Sequence, residues 1–153
     1  MACGWQPVAA APALRWQTIS PAQRHSCRID ALGRTLCWGF GLGGQLGDGL
    51  SSNSSAPVLV AGGHRFVQVD AGRSSLLSCA LDAAGSAWCW GVAILTGGGN
   101  EDTSKVPVAV SGSQRWRALS AGSTASCGIT NGGQALCFGI NSNGAVGQNN
   151  LGP

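Results

Sequence analysis

When the chain is shifted along itself by 50 residues, three prolines fall into register: Pro7, Pro57 and Pro107, each followed by Val (Val8, Val58, Val108). Nine residues after each proline stands an aromatic: Trp16, Phe66, Trp116. Each aromatic leads to two cysteines ten positions apart: Cys27 and Cys37, Cys79 and Cys89, Cys127 and Cys137. A short glycine-bearing signature closes each unit, LCWG at 36–39, WCWG at 88–91 and LCFG at 136–139. Self-similarity at a fixed period of this size means stacked supersecondary units. Function then has to come from the surface that the stacked copies build.

The hairpin inside each unit follows from its turn. In CALDAAGSAWC (79–89), alternation places Cys79, Leu81, Ala87 and Cys89 on one set of positions. Three-residue hairpin loops pair a type I turn with a left-handed residue, usually Gly. Gly33, Gly85 and Gly133 stand at that place in the three units. This loop pairs residue 81 with 87 and 79 with 89, so each Cys lies opposite its partner at a non-hydrogen-bonded site. Such Cα atoms are about 4.5 Å apart, at the short edge of the disulfide range.

The remaining strands follow. RFVQVDAG (65–72) and RWRALSAG (115–122) read as first strands, the Cys hairpin supplies the second and third, and PVLV (57–60) and PVAV (107–110) give a short fourth that starts on Pro. Four antiparallel strands repeated radially describe a propeller blade. The predicted fold class is all-β: about three four-stranded antiparallel blades of a β-propeller. One repeat array covers 1–153, with units at approximately 7–56, 57–106 and 107–153. A hairpin-built solenoid is the structural alternative.

Composition excludes several classes. Charged residues make up 10% of the chain and 44% is hydrophobic, the opposite of a disordered profile. The net charge of +3 comes with no basic run, so nothing announces nucleic acid. No apolar stretch is long enough for a membrane-spanning helix. The opening MACGWQPVAAAPALRW lacks a basic n-region, and no signal peptide is read in it.

The residues resemble the regulator of chromosome condensation repeat family. His25-Ser26-Cys27, Leu36-Cys37-Trp38-Gly39 and Gly44-Gln45-Leu46-Gly47 carry the resemblance in the first unit. Ala71-Gly72, Cys79-Ala80-Leu81 and Trp90-Gly91 carry it in the second, and Ala121-Gly122, Gly139, Asn141, Gly144 and Gly147 in the third. The Cys-paired version is similar to crinkly-type receptor kinase ectodomains and to secreted β-lactamase inhibitor-like propellers. The resemblance implies a seven-bladed ring. At about 50 residues per blade such a ring needs roughly 350 residues, so the chain reads as a fragment. The second unit departs from the pattern, with LTGGG at 95–99 and an insertion in RSSLL at 73–77.

No constellation of acid, base and nucleophile emerges, and the expectation is a non-enzymatic chain without cofactor or metal. Gly39-Phe40-Gly41-Leu42-Gly43-Gly44 formally matches a dinucleotide fingerprint, but QLGDGLSSNSSAP after it will not form the required helix. The six paired cysteines are disulfides, buried thiols or metal ligands, and zinc spacings are shorter than theirs. Cys3 is the odd one, a remnant of a preceding hairpin or an exposed thiol. His25 and Ser26 point to opposite faces of a strand, and the resemblance implies a blade-to-blade hydrogen bond for His25. Trp16, Trp38, Trp90 and Trp116 read as core. Asn53-Ser54-Ser55 is a glycosylation sequon if the chain is secreted.

One face carries the hairpin tips and the turns at 62–65 and 112–115. The other carries the turns at 21–25, 72–77 and 122–125 and the long loops at 40–56, 92–105 and 140–150, where binding usually lies on a rigid scaffold. Its candidate partner-binding residues are Arg24, Arg73, Leu76, Leu77, Ile94, Leu95, Glu101, Asp102 and Lys105, beside His25, Asn141 and Asn143. Leu76 and Leu77 are the candidate apolar hot spot, unless they pack against the Ile94-Leu95 loop. The expected function is a non-enzymatic protein-protein interaction module, extracellular or secreted on the strength of the Cys pairs. The alternative is an intracellular (cytoplasmic or nuclear) exchange factor for a small GTPase or a chromatin-associated scaffold.

Overall fold

The computed structural model describes residues 16–73, 76–94, 102–123, 125–141 and 144–147. Among the described residues, eleven strands form three antiparallel sheets. The first holds β1 (Trp16–Pro21), β2 (His25–Asp30), β3 (Thr35–Gly39) and β4 (Ser54–Leu59) in chain order. The second holds β5 (Phe66–Ala71), β6 (Leu77–Asp82), β7 (Ala87–Ile94) and β8 (Asp102–Ala109). The third holds β9 (Trp116–Ala121), β10 (Ala125–Thr130) and β11 (Ala135–Gly139), three strands among the described residues. These are partial propeller blades.

The hairpin register is the expected one. Cys27 pairs with Cys37, Cys79 with Cys89 and Cys127 with Cys137. All three pairs are disulfides, with Cα atoms 4.0–4.1 Å apart. Each turn uses a left-handed glycine, with φ of 73° at Gly33, 79° at Gly85 and 83° at Gly133. The residue three before each glycine locks the turn. Asp30 Oδ1 accepts from the Leu32 and Arg34 amides, Asp82 Oδ1 from those of Ala84 and Ser86, and Thr130 Oγ1 from that of Gln134.

The fourth strands differ from expectation. They begin at Ser54 and Asp102, so Pro57 and Pro107 sit inside them rather than at their starts. The register jumps from Cys37↔Val58 to Gly39↔Ser54, and from Cys89↔Val108 to Gly91↔Ser104. Each Pro lies within that jump, on an edge strand, where its missing N–H breaks no ladder bond.

Inner strands bind the blades together at positions about one period apart. Ser20 Oγ donates to Asp70 Oδ1 (2.9 Å), and Asp70 Oδ2 accepts from the Ala121 amide (2.8 Å). The Gln68 side chain donates to the Leu119 carbonyl and accepts from its amide. At the hairpin tips, the Phe66 amide donates to the Gly33 carbonyl and the Trp116 amide to that of Gly85. Between the first two blades, Phe66 and Trp90 stack with centroids 5.9 Å apart, and both are buried.

Candidate interaction surface

The end of the stack opposite the hairpin tips is built around the loop 40–53. Gln45 and Leu46 are fully buried and anchor it between the first and second blades. The Gln45 carbonyl accepts from Trp90 Nε1 (3.0 Å) and from Ser78 Oγ (2.9 Å). Gln45 Oε1 accepts from the Gly43 amide, Asn53 Oδ1 from that of Gly41 and Asp48 Oδ1 from that of Leu50. The Gly49 amide donates to the Lys105 carbonyl, which ties the loop to β8. A Cβ on Gly47 would lie 2.6 Å from Trp90 Nε1, so only glycine permits this close seating.

Anchored in this way, the loop holds apolar side chains out. Leu42 and Leu50 are each 58% exposed, and Val106 on the adjoining strand is also exposed. Three exposed cations lie at the same end of the stack. Arg24 is exposed and its guanidinium lies 5.3 Å from the Phe40 ring centroid. Arg73 is exposed, and its carbonyl accepts from the Gln23 amide across the blades. Lys105 is exposed beside Val106. These three cations are among the candidates read from the sequence; Leu42 and Leu50 are not, because nothing in GFGLGGQLGDGL marks which leucine is the anchor.

Other candidates are placed differently. Leu77 is 4% exposed and belongs to the core, so it is not a surface hot spot. It opens β6 and pairs with Gly91, which fixes it in the blade. Leu76 is half-buried against Gly43 of the long loop. Ile94 and Asp102 face each other as the last pair of β7 and β8. Leu95, Glu101 and Asn143 lie outside the described residues, as do Cys3, Pro7 and Val8. Asn53 is exposed, and the bond to Gly41 uses its Oδ1, leaving the amide nitrogen where a glycan would attach.

His25 bridges the blades. Its Nε2 lies 2.8 Å from Ser78 Oγ, and both side chains are at most 2% exposed. Ser78 has one hydroxyl proton and gives it to the Gln45 carbonyl, so His25 donates through Nε2–H. Burial lowers the His25 pKa to about 4, which keeps the ring neutral. The pair has the outline of a base and nucleophile. Its serine proton points into the blade junction and no substrate can reach it. Among the described residues no group of three or more His, Cys, Asp or Glu could hold a metal ion. Among the described residues no helix is long and apolar enough to cross a membrane.

Comparison with known proteins extends this geometry. Residues 33–78 and 116–145 each match a model of the regulator of chromosome condensation repeat. A 75-residue stretch, 48% of the chain, is 35% identical to the Homo sapiens E3 ubiquitin-protein ligase HERC2, of which it spans 2%. Human WBSCR16 aligns with a TM-score of 0.73 and 22% identity over 82% of this chain and 33% of that one. Saccharomyces cerevisiae Prp20p, described with its binding to Gsp1p and histones, aligns at 0.70 and 19% identity over 88% and 34%. The ectodomain of the Physcomitrella patens receptor kinase CR4 aligns at 0.55 and 22% identity over 85% and 31%. The chain thus spans about a third of the length of the solved structures it matches. At these identities they show the fold.

Proposed function

We propose that this array of regulator of chromosome condensation repeats is a non-enzymatic protein-interaction module that binds its partner through the loop 40–53 face. The observation that carries the reading is an anchored loop with exposed Leu42 and Leu50, at the end of the stack that also carries exposed Arg24, Arg73 and Lys105. Apolar anchors with a charged rim are the pattern of a protein-binding hot spot. Prp20p is described with its binding to Gsp1p and histones, and partners of that kind support an intracellular regulator. A titration of the full chain against a nucleotide-free small GTPase and against core histones tests this. Binding, or accelerated nucleotide release, supports the intracellular reading; no association with either removes it.

One observation favours a second setting. Three disulfides belong in an oxidising compartment, as for a receptor ectodomain or a secreted binder. Alkylation of the chain from its native source, without reductant, separates the two. Six protected thiols among the seven cysteines support the extracellular setting; seven reactive thiols support the intracellular one.

A further inference from the structure

Three groups meet at one hydroxyl in the first blade junction. His25 Nε2–H donates to Ser78 Oγ, and Ser78 Oγ donates to the Gln45 carbonyl. All three residues are at most 2% exposed. His25 opens β2 two residues before Cys27, and Ser78 lies one before Cys79 in β6. Both strands are clamped to their hairpin partners by disulfides. Gln45 alone of the three lies outside a strand. We propose that His25 is an acid latch for the loop 40–53: a proton on its ring lifts Gln45 and Leu46 out of the junction and frees the segment that carries Leu42 and Leu50.

The second ring nitrogen drives the release. With Nε2–H donating, Nδ1 is a bare acceptor, buried with no hydrogen-bond partner among the described residues. Protonation turns Nδ1 into a donor without an acceptor and adds a buried positive charge, and both are costly. The elements packed around His25 bring it no free counter-charge. β1, β3 and β7 hold no charged residue. Asp70 on β5 is engaged by Ser20 and the Ala121 amide, and Asp48 in the loop by the Leu50 amide. Asp30 and Asp82 lie at the hairpin-tip ends of β2 and β6, held in their turns. Arg28 on β2 lies over Trp38, Arg24 lies near Phe40, and Arg73 and Lys105 are exposed. Burial is the sole cause of the low pKa of the ring.

The loop is the part that can yield. Between residues 41 and 53 its only buried side chains are Gln45 and Leu46; the other buried positions are Gly41, Gly43, Gly44 and Gly47. Segments that bury few side chains open locally, below the cost of global unfolding. Lifting this one breaks the Gln45 bonds to Ser78 and Trp90 and leaves the strand ladders and disulfides in place. The uncovered ring binds a proton near 6.5, against about 4 in the closed junction. The closed loop is therefore fully favoured above pH 6.5. The open one gains as pH falls toward 4, by about 20-fold between pH 7 and 5. As a control of binding the latch rests on the function proposed above; the latch itself needs no partner.

The test is hydrogen exchange of the full chain without partner, read by peptide mass spectrometry and corrected for the intrinsic pH dependence of exchange. The opening constant of a peptide spanning 40–53 is expected to exceed that of Leu77–Asp82 and to rise about 20-fold from pH 7 to 5. His25→Gln keeps a donor toward Ser78 and cannot titrate, so its profile is expected to be flat. His64→Gln removes the other histidine and is expected to follow wild type. A wild-type loop whose opening does not rise overturns the proposal, and so does a rise that persists in His25→Gln. Equal opening constants for the loop and Leu77–Asp82 at pH 5 also overturn it, because only whole-chain unfolding then responds to acid. Should His25→Gln fail to fold, the wild-type profile beside His64→Gln still decides. A chain that binds neither GTPase nor histones removes the intracellular reading and leaves this result standing.

Discussion

Ser20 and Asp70 hold the same position in consecutive repeats and are hydrogen-bonded to each other at 2.9 Å. The sequence period is thus also a contact between neighbouring inner strands. Asp70 reaches the third blade through the Ala121 amide and clamps three units with one carboxylate. Asp70→Ala strands that amide and the Ser20 hydroxyl. The expected loss is about 1.5–3 kcal/mol in urea denaturation, the range for hydrogen bonds to a charged group. Asp70→Asn, which keeps one acceptor, should lose less.

Acid sensitivity should arise first at His25. Its folded pKa is depressed to about 4 by burial, while the unfolded chain binds a proton near 6.5. Below pH 6.5 the unfolded state therefore holds the extra proton, and stability falls by up to about 1.4 kcal/mol per pH unit until about pH 4. Asp30 and Asp82 act lower. Burial alone would raise their pKa, but the turn hydrogen bonds outweigh it and the net direction is down. Their contribution is present above the usual carboxylate range and is lost below it. Urea midpoints between pH 7 and 4.5 should decline in wild type and flatten in His25→Gln.

Turn glycines should differ in cost although their backbone angles agree. A Cβ on Gly85 would lie 2.8 Å from the Trp116 carbonyl oxygen, whereas one on Gly133 meets nothing within 4 Å. Gly133→Ala should cost about 1–2 kcal/mol for the left-handed backbone alone. Gly85→Ala should cost more, because it also pushes the third blade away. Thermal denaturation of the two variants checks the order.

Reduction should be selective. Cys27, Cys37, Cys79 and Cys89 are buried at blade junctions, while Cys127 is exposed and Cys137 half-buried. Thiolate attack needs access to a sulfur. Limited reductant followed by alkylation should label Cys127 and Cys137 first, as read by peptide mass mapping.

The blade hairpins were legible because two local rules agreed at each one: glycine at the left-handed turn position and a cysteine opposite its partner. The locking role of Asp30, Asp82 and Thr130 carried a signal, a short polar side chain three before each glycine, that hairpin counting alone did not use. Leu77 was misplaced because RSSLL looks like one insertion. Counted back from Cys79 it matches His25 before Cys27, so the extra residues end before it and Leu77 belongs to the strand. The seating of loop 40–53 was not legible, since it depends on Trp90, which is contributed by the next repeat.

The central claim is that the loop 40–53 face, and not the hairpin-tip face, receives the partner. The most direct measurement is the affinity of two full-chain variants for the partner found by titration. Arg24→Ala with Arg73→Ala and Lys105→Ala removes exposed cations from the first face; Arg65→Ala with Arg115→Ala removes them from the second. The account predicts at least about a tenfold loss for the first variant, the scale of hot-spot truncation, and unchanged affinity for the second. Loss confined to the second variant would contradict it.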